Sequence, residues 1–322
     1  LINLRIRLFL ILYLTYNIII RIFPGGKKMN KVKSLLTSVA AGFILITGLH
    51  SVSVYASSEV PASNAGDAKI TETAGTGNID SILKDGRYTL LLLGIDGPHD
   101  EGQRSDTVMI AEFNKDTKEI RIISMPRDSY VDIPGEGFDK LTHAFAYGGA
   151  ELTVETLNNN LGLGIEGYMT LNFKTFPQFI DALGGVEINL SEGEAETVKK
   201  GPGKVLLNGA DALTFARIRA IDSDYMRTGR HRRLMKAVIE KIEAMNPSEL
   251  PALSESLFKT LSTDQKAGSL FTLGKYAYEN KFTVKDILIP DEENSWGNII
   301  DGAWVLEFDI PEAKEKMKDF LR

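Results

Sequence analysis

The chain has 322 residues, 43% of them hydrophobic, enough for one large domain or two small ones with a real core. It has no cysteine and four histidines (His50, His99, His143, His231), which excludes disulfides, thiolate nucleophiles and cysteine-based zinc sites and argues against a histidine-rich metal site. The formal charge is −6, but residues 1–56 hold seven basic residues and no acid; the rest has 30 basic against 43 acidic residues, a body near −13 that repels nucleic acid.

Residues 8–23 (LFLILYLTYNIIIRIF) are apolar but interrupted by Arg21. The first methionine is Met29, preceded by Pro-Gly-Gly-Lys-Lys, whose codons (GGN GGN AAR AAR) resemble a ribosome-binding site and spacer. Residues 1–28 are therefore expected to be translated leader, with an extra membrane segment as the alternative. From Met29, a short basic region (MNKVK), an apolar run (SLLTSVAAGFILITGL) and VYASS, with small residues at Val54 and Ala56, predict a signal sequence over 29–56. The uncharged stretch 34–58 nearly spans a bilayer, so it can also remain as an anchor, with Lys31 and Lys33 on the cytoplasmic side. Either way the rest of the chain faces outside, anchored at the membrane or released after Ala56. Residues 57–79 are small, polar and aperiodic, which predicts a flexible linker ahead of a domain over 80–322.

In that domain, RYTLLLLGID (87–96) reads as a strand buried on both faces. TVMIAEFN (107–114) and EIRIISMP (119–126) read as a hairpin. Helical spacing follows at 151–162, ending at Gly162, then a strand at 166–173. A helix over 173–185 has Pro177 in its first turn and Phe173, Phe176, Phe179, Ile180 and Leu183 on one side. A strand at 186–190 precedes an amphipathic helix over 232–245, where Leu234, Val238, Ile242 and Met245 recur. Helices at 247–262 and 266–280, strands at 282–289 and 303–308, and a closing helix opened by Pro311 complete the alternation. The prediction is one three-layer α/β/α domain with a central mixed sheet.

Three stretches concentrate charge where strands end. GIDGPHDEGQRSDT (94–107) carries Asp96, Arg104 and Asp106; SMPRDSYVDIPG (124–135) carries Arg127 and Asp128; ARIRAIDSDYMRTGR (216–230) carries Arg217, Arg219, Arg227 and Arg230. Ligands in α/β proteins collect beyond the carboxyl ends of strands. Arginine recognises phosphate bidentately, and two loop carboxylates without competing His or Cys suit a hard cation such as Mg²⁺ or Mn²⁺ bound together with substrate phosphate. The combination points to a diphosphate. Any single arginine can equally be an ion-pair partner; Arg232 and Arg233 read as the solvated flank of their helix, and Asp128 as a brace.

These same stretches, LLLLGID, RSDTVMIAEFNKDTKEIRIISMPRDSYVDIPG, DKLTHAFAYGGAELTVETLNNNLGL, NFKTFPQFIDALGGVEINL, LNGADALTFARIR and DSDYMRTGRHRRL, resemble the LytR-CpsA-Psr family over roughly residues 86–246. The resemblance implies an exported phosphotransferase. Such an enzyme takes an anionic glycopolymer, such as wall teichoic acid or capsular polysaccharide, from a polyprenyl diphosphate lipid and joins it to peptidoglycan through a phosphodiester. It implies that Arg104, Arg127, Arg217 and Arg219 bind the diphosphate, with Arg227 and Arg230 as a following pair. Asp96 and Asp106 become Mg²⁺-linked carboxylates, Asp106 also a candidate to help deprotonate the acceptor, and Lys140 a further substrate residue. The phenylalanine-rich face at 173–183 becomes a wall of the lipid pocket. The chain departs from the common family pattern at Thr142, Met226 and His231, where Asn, Gly and Gln are frequent, departures expected to reshape the acceptor side. Two rivals are a polyprenyl diphosphate hydrolase and a non-enzymatic envelope regulator; the export signal and acidic body argue against DNA contact.

Overall fold

The computed structural model describes residues 78–96, 103–218 and 224–322. The readings for 1–28 and 29–56 and nearly all of 57–79 lie outside them, as does Arg219. At the linker boundary, Ile79 is buried in a short 3₁₀ turn (Ile79–Ser81) capped by the Asn78 side chain, so ordered packing starts just inside the predicted linker.

The centre is a six-stranded mixed sheet of β1 (Arg87–Ile95), β2 (Ser105–Asn114), β3 (Glu119–Met125), β6 (Gly167–Asn172), β9 (Leu261–Thr263) and β10 (Thr283–Leu288). Its order is β10-β3-β2-β1-β6-β9. The β1–β2 and β2–β3 pairs are antiparallel, as the hairpin pattern predicts, whereas β1–β6 and β3–β10 are parallel crossovers. The continuous apolar run of β1 has the expected cause: Leu91, Leu93 and Ile95 point into one core, while Leu90 and Leu92 point into apolar surroundings on the other face.

Helix α1 (Leu141–Leu161) and the closing helix α8 (Ile310–Phe320) cover the first face. The helical run α1 is broken at Gly148–Gly149, where Gly149 has φ +66°; its second segment is the helix expected over 151–162, capped by Gly162, and an unpredicted first segment from Leu141 precedes it. A paired glycine reads as a helix stop in sequence, and here it divides the run into two helical segments, because neither glycine keeps helical backbone angles.

The second face carries α5 (Asp224–Glu243), α6 (Leu250–Thr260) and α7 (Ala267–Glu279). Beside them stands a lobe built from α2 (Phe176–Ala182), the hairpin β7 (Val186–Leu190) and β8 (Gly203–Leu207), α3 (Glu192–Val198) and α4 (Gly209–Ala216), with its own apolar core. Two further hairpins, β4 (Tyr130–Ile133) with β5 (Gly137–Lys140) and β11 (Ser295–Ile300) with β12 (Ala303–Phe308), complete the described fold. The domain is the predicted mixed sheet between helices. Of the short hairpins, β7 and β12 stand at the strands expected over 186–190 and 303–308; β4, β5, β8, β11, α3 and α4 were not legible as separate elements. Among the described residues no helix is long and apolar enough to cross a membrane.

Candidate active site

The charged stretches converge at one end of the sheet because β1 and β3 finish where β2 begins. Asp96 follows β1 and is fixed by the opposite strand: its Oδ1 accepts the Arg104 N–H at 2.7 Å, and its own N–H donates to the Arg104 carbonyl at 3.1 Å. The register between β1 and β2 slips here, with Gly94 opposite Thr107 and Ile95 opposite Ser105. Asp106 is the extra residue of this bulge. Bulges re-aim side chains, and Asp106 and Thr107 both reach the same cavity wall.

Arg127 follows β3, and its Nη1 pairs with Asp106 Oδ1 while its Nε lies 3.5 Å from Asp128 Oδ2. The Arg127 backbone is held as well, because the first N–H groups of α1, otherwise without intrahelical acceptors, use this loop. Thr142 N–H donates to the Arg127 carbonyl at 2.9 Å and Leu141 N–H to that of Ser129 at 2.8 Å. Lys140, at the start of α1, places Nζ 3.1 Å from Asp128 Oδ1. Asp128 is thus the brace expected of it: a buried carboxylate shared by two cations.

Arg217 terminates α4, a helix started by Asn208, whose side chain accepts the Asp211 N–H at 2.9 Å. The Arg217 guanidinium lies over the Phe173 ring, 4.7 Å from its centroid, a cation–π contact that orients the charge along the cavity rim. Phe173 is presented by a turn in which Asn172 Oδ1 accepts the N–H groups of Lys174 and Thr175, at 3.0 and 2.9 Å. Arg227 lines the same cavity from α5.

Behind this rim lies an apolar cavity of about 340 Å³ between the sheet and α5. That volume is in the range of small-ligand sites. A second cavity of about 290 Å³ continues along the same sheet face, sharing Met169, Phe179, Ile242 and Leu257 with the first.

Several predicted site residues are placed otherwise. Phe173, Phe176 and Phe179 line the cavity, but Ile180 and Leu183 are packed into the core of the lobe against α4 and β7, because one helical face serves both. Arg230 does not line the cavity. It is fully buried, donates to the Ile218 carbonyl at 2.8 Å and faces Glu194, 3.9 Å away. Arg232 and Arg233 are more than a solvated flank: Arg232 pairs with Asp286 of β10, and Arg233 holds Glu194 of α3 at 2.7 Å. Burial opposes ionisation of Glu194, but the Arg233 guanidinium and the Ser191 N–H outweigh it and hold its carboxyl below the usual range. Arg104 is exposed, and Arg219 lies outside the described residues.

His231 was legible only as a departure from the common pattern. It sits in the cavity wall, one turn after Arg227, rather than on a separate acceptor surface. Burial pushes its pKa down to about 4, and the neighbouring Arg227 and Arg230 push the same way against the Ala216 carbonyl and Asp106. Thr142 is buried in the first turn of α1, and Met226 is exposed.

Among the described residues no group of three or more His, Asp or Glu side chains can hold a metal alone. Asp96 and Asp106 offer two hard oxygen donors at adjacent strand ends. That set fits Mg²⁺ or Mn²⁺, which keep waters and take remaining ligands from phosphate.

An arginine-lined, carboxylate-bearing rim above an apolar cavity defines a site for an amphiphile with an anionic head. The chain belongs to the LytR_cpsA_psr family, whose model matches residues 51–321. It is 34% identical over 249 residues to the polyisoprenyl-teichoic acid–peptidoglycan teichoic acid transferase TagT of Bacillus subtilis, covering 71% of this chain and 76% of that one. It is 30% identical over 310 residues to TagU of Bacillus cereus, a transferase of the same name, covering 91% and 97%. A structure of TagT bound to LIIa-WTA superposes with a TM-score of 0.63 at 25% identity, over 83% of this chain and 98% of that one.

Proposed function

We propose that this chain is a phosphotransferase that moves an anionic glycopolymer of the wall teichoic acid type from a polyprenyl diphosphate lipid to peptidoglycan. The observation that carries the reading is the junction of two chemistries: Arg217 and Arg227 at the mouth of a cavity lined by Leu92, Met109, Phe173, Met235 and Ile239. A polyprenyl diphosphate is apolar for its length and dianionic at its head, and the site is built in the same order. The relatives named as teichoic acid transferases support the same reaction class.

In this reading the lipid chain lies in the cavity and the diphosphate meets the arginine rim. An acceptor sugar hydroxyl attacks the phosphorus next to the glycan. The bond from that phosphorus to the bridging oxygen breaks, and lipid monophosphate leaves. Arg127, Arg217, Arg219 and Arg227 bind the phosphoryl oxygens, and catalysis is chiefly positioning and charge neutralisation. Mg²⁺ or Mn²⁺ held by Asp96 and Asp106 would supply further neutralisation when bound. Asp106 is engaged by Arg127, which suits it to holding charge in place more than to abstracting a proton. Lys140, through Asp128, fixes Arg127. The reaction takes place at the cell wall, with the enzyme anchored at the outer face of the membrane by residues 29–56 or released by cleavage after Ala56.

The test uses the chain from Ser57 with Mg²⁺, a labelled glycan on polyprenyl diphosphate, and uncrosslinked peptidoglycan oligomers. Mass spectrometry should find a phosphodiester-linked product that disappears when the acceptor is omitted. Lipid cleavage that continues without acceptor would instead identify a hydrolase.

A further inference from the structure

The His231 ring makes two hydrogen bonds whose directions are fixed by chemistry. Its Nε2 lies 3.0 Å from the Ala216 carbonyl oxygen. A carbonyl only accepts, so Nε2 carries the hydrogen. The neutral ring then presents a lone pair at Nδ1, 3.0 Å from Thr107 Oγ1, and the threonine hydroxyl donates to it.

Each bond ends beside a residue of the rim. Thr107 follows Asp106, and Ala216 precedes Arg217. Arg227 stands on the same face of α5 as His231, four residues earlier, and both line the cavity. The Ala216 carbonyl belongs to the last turn of α4, where carbonyls lack intrahelical donors. Gly94 completes the arrangement: a Cβ there would stand 2.9 Å from Thr107 Cβ and 3.0 Å from its Oγ1. The bare glycine leaves room for the hydroxyl to reach the ring.

We propose that His231 is a positioning residue whose two hydrogen bonds tie the strand bearing Asp106 to the helix end bearing Arg217 and so set the width of the diphosphate clamp. The proposal rests on the diphosphate reading of the site. It assigns His231 no contact with substrate and no proton transfer. What it requires is one acceptor and one donor at opposite ends of a planar group. A glutamine side chain has both; a leucine has a similar bulk and neither.

The experiment compares the wild type with His231→Gln, His231→Leu and Thr107→Val for binding of inorganic diphosphate by calorimetry, and for kcat and KM in glycopolymer transfer. His231→Gln should bind diphosphate within about threefold of the wild type, and Thr107→Val, which loses one hydrogen bond, should weaken binding about two- to tenfold. His231→Leu should lose more, with kcat down about 100-fold, the scale of an ångström-sized misplacement. If His231→Leu does not fold, Thr107→Val, which keeps the side-chain volume, still decides. Equal binding in wild type, His231→Leu and Thr107→Val overturns the proposal while leaving the diphosphate site intact. A folded His231→Gln as impaired as His231→Leu also overturns it, since the two bonds would then not be what matters. A wild type that binds no diphosphate overturns the functional reading and this proposal together.

Discussion

The two faces of the six-stranded sheet are finished differently. Under α1 and α8, side chains such as Leu91, Ile95, Ile110 and Ile123 are buried almost completely and interlock into one core. Under α5, α6 and α7 the sheet presents residues equally apolar, including Leu92, Met109 and Met169, but the helices leave two linked cavities. Protein interiors are normally close-packed, so space kept on one face of a sheet whose other face is solid is space for a ligand. The charged rim lies at the end of the hollow face, and it is the same bulge at Asp106 that turns polar groups toward it.

The contrast can be tested from its largest expected consequence downward. Arg217→Ala removes the cation stacked on Phe173 at the rim and should cost roughly 3–4 kcal/mol in the transition state, the scale of a lost oxyanion donor, with little change in melting temperature. Steady-state transfer kinetics and a thermal melt check both halves. Leu91→Ala opens a void in the solid face and should destabilise by about 3 kcal/mol, whereas Leu92→Ala, facing existing space, should fall below the range for core truncations; denaturant unfolding compares the two.

A third expectation concerns acid. His231 ionises near 6.5 in the unfolded chain and at about 4 in the fold. Between those values the unfolded state binds the proton and the native state does not, so stability drops as pH falls through that window. The loss from this residue is at most roughly 3 kcal/mol, complete below pH 4 and absent above 6.5. The wild type should lose up to this amount relative to His231→Gln as pH falls from 6.5 to 4, with a constant difference above 6.5; a difference that stays constant through the window would contradict a buried histidine. The smallest effect belongs to Met235→Trp, which fills part of the first cavity: stability should change by about 1.5 kcal/mol or less, while the KM for a lipid-linked donor rises.

The solid face and the rim were legible for a simple reason: both leave local signals. Alternation and continuous apolar runs announce β1, β2, β3 and β6, and arginines and aspartates at strand ends announce a charged rim. The hollow face left a weaker trace. The helical stripe from Phe173 to Leu183 was read as one wall, but the lobe core takes Ile180 and Leu183, Phe173 belongs to the cavity, and Phe176 and Phe179 contribute to both. Arg227 and Arg230 look alike in sequence, yet α5 turns one to the cavity and buries the other against Ile218 and Glu194. His231 could be located only after folding, because its partners come from β2 and α4, 124 and 15 residues away. Gly94, the glycine inside an apolar strand, was the available clue to a close approach at that point.

In the proposed reaction the hollow face seats the lipid while the rim holds its diphosphate. The most direct measurement is photo-crosslinking with a polyprenyl diphosphate that carries a photoreactive group in its chain, followed by peptide mapping. Labelling at Met109, Met235 and Ile239, competed by unlabelled lipid, is the expected result. Competed labelling confined to the exposed Trp296 and Trp304 hairpin, or to the α1 face, would contradict the account.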